Sequence, residues 1–315
     1  MGDAFWQSYR GITAKLRKRF MRKPNLTEAA SSFNELFASM KRDGNNQYAA
    51  FCLLAVARCE QAMSNTAEEA EKTVEAAQLF LQAEMENHTL NYAGYEEHLH
   101  EATQCYLQAI DLYVQLNRPL FAASLFVELA AAMKLFKRVD DAAMYCEKAA
   151  RFQLLSPLAA LSSLEEAVAC KIMKKDYDGA ILTLNEIINF ALERFGIPMP
   201  NGETHCAPGA ALDVISRAEV TRLLLLLLLQ PSPHASKPDH AVVLEKFAAD
   251  ESTASQYMPE ELRLLLQSLV LTCGAGDTAG ASLLQADLWI HFTPLQNDLM
   301  QLIVTELHNG FLTKA

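Results

Sequence analysis

Apolar residues recur along most of this chain at spacings of three and four, which is the pattern of amphipathic α-helices. In the first such stretch, about residues 4–22, they fall within an arc of roughly 80° on a helical wheel. These residues are Phe5, Tyr9, Ile12, Leu16 and Phe20. Lys15, Lys18 and Arg22 fall on the opposite side. The pattern therefore predicts a first helix with one apolar face and one basic face.

Lys23 precedes Pro24, which disfavours further helix, and Asn25 with Glu28 predicts a capping box for the next helix. Further helices are predicted at short intervals, and no segment alternates as a strand would. They span about 27–41, 46–63, 67–87, 95–116, 119–136, 139–154, 157–174, 177–195, 212–230, 238–249, 259–273, 278–291 and 294–308.

Two of the predicted helix junctions resemble each other at an offset of 38 residues. "KLFKRVDDAAMYCEKAARF" at 134–152 aligns with "KIMKKDYDGAILTLNEIIN" at 171–189 after a one-residue adjustment at the start, so that Leu135 matches Met173 and Lys137 matches Lys175. Small alanines, a polar turn and then a bulkier apolar ladder are typical of tetratricopeptide-type hairpins, although their usual period is about 34 residues. The sequence therefore predicts an all-α fold, a tetratricopeptide-like α-solenoid of antiparallel helix pairs.

Residues 196–211 interrupt the helical pattern with three Pro and three Gly, which indicates a loop or linker. The predicted organisation is a basic amphipathic helix at 1–25, helical repeats at 26–195, a Pro/Gly-rich loop at 196–211 and C-terminal helical repeats at 212–315. "LLLLLLL" at 223–229 is too short to span a membrane and predicts a helix buried on every side. The seven cysteines form no C-x-x-C pair, which favours reduced, buried thiols.

Charge is distributed unevenly along the chain. Residues 1–25 carry seven basic side chains against Asp3, whereas the whole chain of 315 residues has a net charge of -11. This acidic balance argues against a general nucleic-acid binder. Apolar residues make up 51% of the chain, which is high for an elongated array. Either broad burial between helix layers or a partner that covers exposed faces would explain this content.

Motifs for catalysis, cofactors or metals are missing from the sequence. There is no phosphate-binding glycine loop and no nucleophile elbow. His98 and His100 are two residues apart and would lie on different helix faces, and His205 beside Cys206 has no further ligand nearby in sequence. We therefore expect no enzymatic activity, no cofactor and no metal.

The basic segment has three candidate explanations. It could be a solvated helix, it could lie on an anionic membrane with its apolar face down, or it could dock on the protein and present its basic side to an acidic partner. Composition does not choose between the last two.

Several stretches in order resemble the huntingtin-associated protein family, also called the factor VIII intron 22 protein family. They are "YRGITAKLRKRFMRKPNLTEA" (9–29), "LAVARCEQA" (54–62), "SPLAALSSLEEAVACKIMKKDYDGAI" (156–181), "RAEVTRLLLLLLLQPSP" (217–233) and "PEELRLLLQSLV" (259–270). The resemblance runs from about residue 5 to about residue 307. The family's central linker is longer and richer in proline than residues 196–211 here.

The resemblance implies a non-enzymatic scaffold that forms a tight, mutually stabilising complex with huntingtin, a HEAT-repeat protein. It also implies an indirect link to a small Rab GTPase in endosome traffic. We expect a cytoplasmic protein, with early endosomes and the nucleus as further compartments, and at most peripheral membrane association. The alternative is an independent vesicle-trafficking adaptor whose basic helix binds anionic membrane. The expected partner-binding residues are Arg10, Lys15, Arg17, Lys18, Arg19, Phe20, Arg22 and Lys23.

Overall fold

A computed structural model describes residues 2–16, 25–92, 94–195, 209–229, 238–249 and 258–310. All regular elements in these ranges are α-helices, which confirms the predicted all-α fold. The helices are α1 Gly2–Leu16, α2 Leu26–Arg42, α3 Asn46–Ala62, α4 Thr66–Thr89, α5 Glu97–Gln115, α6 Pro119–Leu135, α7 Val139–Phe152, α8 Pro157–Met173, α9 Tyr177–Phe195, α10 Gly209–Leu229, α11 Pro238–Ala248, α12 Glu260–Ala275, α13 Thr278–Leu288 and α14 Pro294–His308.

Most helix ends lie within three residues of the prediction. One half of the predicted capping box at Asn25 is present, since the Glu28 backbone N–H donates to Asn25 Oδ1 at 3.2 Å. The Glu28 carboxylate accepts from the Asn25 side-chain amide at 3.1 Å, whereas a full capping box would have it accept from the Asn25 backbone N–H. Helix α13 ends at Leu288 rather than near 291, because the next residues turn and the His291 N–H donates to the Leu288 carbonyl. Thr293 then caps α14 in a full capping box with Gln296. The predicted end of the first helix near residue 22 lies outside the described residues.

The chain divides into two compact units, Met1–Gln153 and Leu154–Ala315. In the first unit, each of the helices α2 to α6 packs on the next helix in the chain. Fully buried alanines lie along these helices, including Ala49, Ala76, Ala109, Ala122 and Ala142. Small side chains let helix backbones approach closely, so larger residues such as Leu53 and Phe80 fill the spaces between the crossings.

Three-residue turns connect several of these helices through the same hydrogen-bonded motif. In the α6–α7 turn the Lys137 N–H donates to the Lys134 carbonyl, and the Arg138 N–H donates to the Met133 carbonyl at 2.9 Å. This is a Schellman motif, which satisfies the last carbonyls of a helix and needs one residue in the left-handed conformation. Lys137 is that residue, with a φ of 58°.

The predicted 38-residue repeat is present in the helix boundaries. Helices α6 and α8 begin with Pro119 and Pro157, and the next helices begin at Val139 and Tyr177, so both starting points are 38 residues apart. Lys175 takes the left-handed position of the second turn, with a φ of 66°. The two hairpins therefore share one backbone plan.

In the second unit, α10 packs on α8, α9, α11 and α14. Its leucines are buried from Leu223 to Leu227, as the apolar run predicts. A run of identical side chains carries no information about which face of α10 meets which neighbour. Polar residues that precede the run on α10 instead determine which neighbouring helix each face contacts. Arg217 donates to both carboxylate oxygens of Glu165 on α8, at 2.9 and 3.1 Å. Arg222 donates to Asn185 on α9.

Gln296 on α14 completes this polar attachment of α10. Its amide nitrogen donates to Thr221 Oγ1 at 3.0 Å and to the Arg217 carbonyl at 3.1 Å. Its amide oxygen accepts from the Thr293 N–H at 2.9 Å. The side chain is only 2% exposed, so water cannot replace these partners.

We expect Gln296→Ala to lower the free energy of unfolding by about 1–3 kcal/mol, because it leaves several buried polar groups without partners. Gln301→Ala, on the exposed side of α14, is the control and should change the same free energy by less than about 0.5 kcal/mol. Urea unfolding followed by circular dichroism measures both. Equal midpoints for the two variants would contradict this account of how α10 is held.

Candidate partner-binding surfaces

The apolar face of α1 packs on the protein itself. Tyr9, Ile12 and Leu16 lie against a buried cluster on α2 and α3 that includes Phe33, Val56 and Cys59. Phe5 is 3% exposed. The apolar stripe predicted from sequence therefore packs within the first unit from Phe5 to Leu16. Its last member, Phe20, lies outside the described residues.

Aromatic rings attach the beginning of α1 to α2 and α3. The ring of Phe5 lies 4.5 Å from that of Tyr48, and the ring of Tyr9 lies 5.2 Å from that of Phe33. Trp6 meets Phe51 at 6.0 Å. Such ring pairs add to the free energy of plain apolar burial. Burial raises the pKa of the Tyr9 hydroxyl, and the nearby Arg58 partly opposes this shift.

Most of the residues expected to bind a partner lie outside the described residues. Arg10 is exposed on α1, and Lys15 lies on the same helix although its side chain is not described. The others fall in the undescribed stretch 17–24: Arg17, Lys18, Arg19, Phe20, Arg22 and Lys23. Their role stays a prediction.

The first unit also exposes large apolar side chains that were not among the predicted partner-binding residues. Between α4 and α5, Leu90, Tyr92 and Tyr95 are all exposed, and Tyr95 retains 94% of its accessible surface. This segment adjoins the α6–α7 turn, since His88 meets the Phe136 ring edge-on at 5.7 Å and Arg138 lies 3.8 Å from Glu96.

The second unit exposes further large apolar side chains near α13. Leu283 lies on that helix, and Trp289 and Ile290 follow its end; Ile290 is 81% exposed. Single exposed apolar residues are normal on protein surfaces, but groups of them mark interaction sites. Sequence periodicity did not reveal these positions, because a core-facing leucine and a partner-facing leucine fit the same helical spacing.

A groove of about 170 Å³ lies between α3, α4 and α5 and is one of several on the described surface. Arg58, Gln61, Glu69 and Cys105 line it. Burial raises the pKa of the Cys105 thiol to about 12, so the sulfur stays protonated at neutral pH and is a poor nucleophile. The groove offers polar contacts to a ligand but no activated nucleophile.

The described residues contain neither a metal-binding cluster nor a membrane-spanning helix. Within the described ranges, no three or more His, Cys, Asp or Glu side chains come together in a way that could hold a metal ion. No helix in the described part of the chain has the length and apolar character needed to cross a membrane.

We expect Phe5→Ala to detach α1 from α2 and α3, because it removes a buried ring at a cost of about 3 kcal/mol. Hydrogen exchange of the α1 amides should accelerate while exchange in α4 and α5 stays unchanged. Gln7→Ala, an exposed neighbour on the same helix, is the control and should leave α1 exchange as in the wild type. Slow α1 exchange in Phe5→Ala would show that other contacts hold the helix.

No protein-family model matches the chain. Two curated proteins, however, are similar to it along nearly its whole length. The 40-kDa huntingtin-associated protein of Mus musculus is 37% identical over an alignment 355 positions long, which covers 97% of this chain and 93% of the relative. The protein of the same name from Rattus norvegicus is 37% identical over 354 residues, with the same coverage. Identity at this level over the whole chain shows that it belongs to the 40-kDa huntingtin-associated protein family.

Proposed function

We propose that this chain is a non-enzymatic scaffold subunit that forms a tight, mutually stabilising complex with huntingtin and acts as an adaptor in early endosome traffic. The observation that carries the proposal is the 37% identity, over 97% of the chain, to two proteins named for their association with huntingtin. A relationship that extends over all the helices, rather than over one motif, favours a shared mode of assembly.

The surface of the described helices supports an assembled protein. Both units expose large apolar side chains, among them Tyr95 in the first unit and Ile290 in the second. Covering such residues with a partner removes apolar surface from water and so stabilises the complex. We propose huntingtin as the protein that covers them.

The packing of α1 favours a protein partner over a membrane for the basic segment. A helix that binds a membrane surface must place its apolar face in the lipid. Here Phe5, Tyr9, Ile12 and Leu16 already contact the first unit. The basic side chains that begin with Arg10 are then left for an acidic surface of the partner. This packing weighs against the alternative of an independent adaptor that binds anionic membrane through this helix.

The remaining parts of the proposal follow from the family. The protein acts in the cytoplasm, with early endosomes and the nucleus as further compartments. A small Rab GTPase is an indirect partner, and contact with membrane is peripheral at most. No nucleic acid and no cofactor take part, in keeping with the net charge of -11 and the lack of catalytic motifs.

Expression with and without huntingtin tests the proposal. We expect co-expressed chains to co-elute on size exclusion, and we expect the complex to unfold at a higher temperature than either chain alone, because a partner that binds only the folded state stabilises it. An uncomplexed monomer in the presence of huntingtin, with an unchanged melting temperature, would contradict the proposal.

Charge reversal tests the contribution of the basic segment. Lys15→Glu, Lys18→Glu and Arg22→Glu together should weaken huntingtin binding about tenfold or more and leave helicity unchanged, because like charges then face an acidic surface. The control reverses three exposed cations on other helices, Arg42, Arg151 and Arg194, so that the net charge changes equally. If the two triple variants bind huntingtin equally well, the basic segment is not part of the interface.

A further inference from the structure

The two hairpins of the 38-residue repeat keep a lysine where the backbone disfavours it. Lys137 has a φ of 58° and Lys175 a φ of 66°. In this left-handed region a β-carbon comes too close to the following carbonyl, which is why glycine or asparagine usually occupies it. Other described helix-to-helix turns have Gly44, Ser64, Asn91, Asn117 and Gly276 at the corresponding place.

Contacts within the protein do not account for the two lysines. Both side chains are exposed, and neither forms an ion pair with a described residue. A positive charge near the end of a helix interacts favourably with the helix dipole. Lys134 and Lys171, however, already lie in the last turns of α6 and α8 and supply that interaction. The lysine at the left-handed position adds a second charge beyond the helix end.

A large apolar side chain is exposed beside each of these lysines. Leu135, two residues before Lys137, is 60% exposed, and Met173, two residues before Lys175, is 68% exposed. The corresponding positions in the other turns hold Arg42, Ala62, Gln115 and Gly274. The α4–α5 turn has Thr89 at this position, and it exposes Leu90 and Tyr92 on either side of Asn91 instead. Among the described turns of this type, the two lysine turns are therefore those with an exposed large apolar residue two positions before the left-handed residue.

We propose that each of these two turns is a docking point for an acidic protein surface. In each, the lysine ammonium pairs with a carboxylate of the partner, and the neighbouring Leu135 or Met173 enters an apolar pocket beside that carboxylate. Backbone strain that persists in a fold points to a function for the strained residue. Charge complementarity selects the occupant, because each turn places unpaired positive charge on a protein whose net charge is -11. The proposal rests on the proposed function, with huntingtin supplying the acidic surface.

A membrane fits these turns less well than a protein does. Stable attachment to lipid requires a broad apolar face together with several cations. Each turn here offers one exposed apolar side chain, and the chain as a whole would be repelled by anionic lipid. One exposed apolar side chain next to one cation can instead be covered by a single pocket and a neighbouring carboxylate on a protein.

Replacing each lysine by glycine separates binding from stability. Lys137→Gly with Lys175→Gly relieves both strained positions, so the melting temperature of the free chain should rise by about 2 °C for each turn. Binding to purified huntingtin should nevertheless weaken about tenfold, with a shallower dependence of Kd on salt. Asn117→Gly is the control at a third left-handed turn, and it should leave both Kd and its salt dependence as in the wild type.

A second pair of variants tests the apolar contribution. Leu135→Gln with Met173→Gln changes only exposed side chains, so the fold should persist while binding to huntingtin weakens about tenfold.

Three outcomes would overturn the inference. If wild type binds huntingtin and both double variants bind equally well, the turns are not docking points, while the proposed function stands. If the double variants instead lose binding to phosphatidylserine vesicles, the occupant is a membrane. If wild type itself fails to bind huntingtin, the proposed function fails and this inference fails with it.

Discussion

Close packing of helices through small side chains is the constraint on which the rest of this structure depends. Alanines that are completely buried, such as Ala76 in the first unit and Ala180 in the second, lie on helices that pack against their neighbours in the chain. Small side chains at a helix contact let the two helix axes approach closely. The larger apolar residues then divide into two groups. Some, such as Leu53 and Phe80, fill the interior beside the crossings, and others, such as Leu135, remain on the surface.

The same packing requires very short turns, and short turns require a residue in the left-handed conformation. Glycine or asparagine meets this requirement at the turns that contain Gly44, Asn91, Asn117 and Gly276, and serine does so at Ser64. The two hairpins of the 38-residue repeat use lysine instead and place an exposed apolar side chain next to it. Exposed lysines on an acidic chain, next to exposed apolar side chains, are expected of a subunit that binds another protein.

Helix positions could be predicted well from sequence, because apolar spacing and capping residues such as Asn25 act locally. The repeat was also visible, since its turns align residue by residue. The division of apolar residues between core and surface could not be predicted: Leu129 is buried and Leu135 is exposed on the same helix, and only their neighbours in space distinguish them. Nothing in a lysine indicates a left-handed backbone, so the shared conformation of Lys137 and Lys175 required the structure. For the candidate site, the apolar stripe of α1 followed from its spacing, but its docking on α2 and α3 required the structure. The role of the basic residues after Leu16 remains a prediction.

Hydrogen exchange of the chain, alone and bound to huntingtin, tests the central claim most directly, because it reports which surfaces become covered. We predict slower exchange in the complex at residues 134–138 and 171–175 and between α4 and α5. The core of α5 should exchange at an equal rate in both states. Identical exchange at all of these places in the free and bound chain would contradict the account.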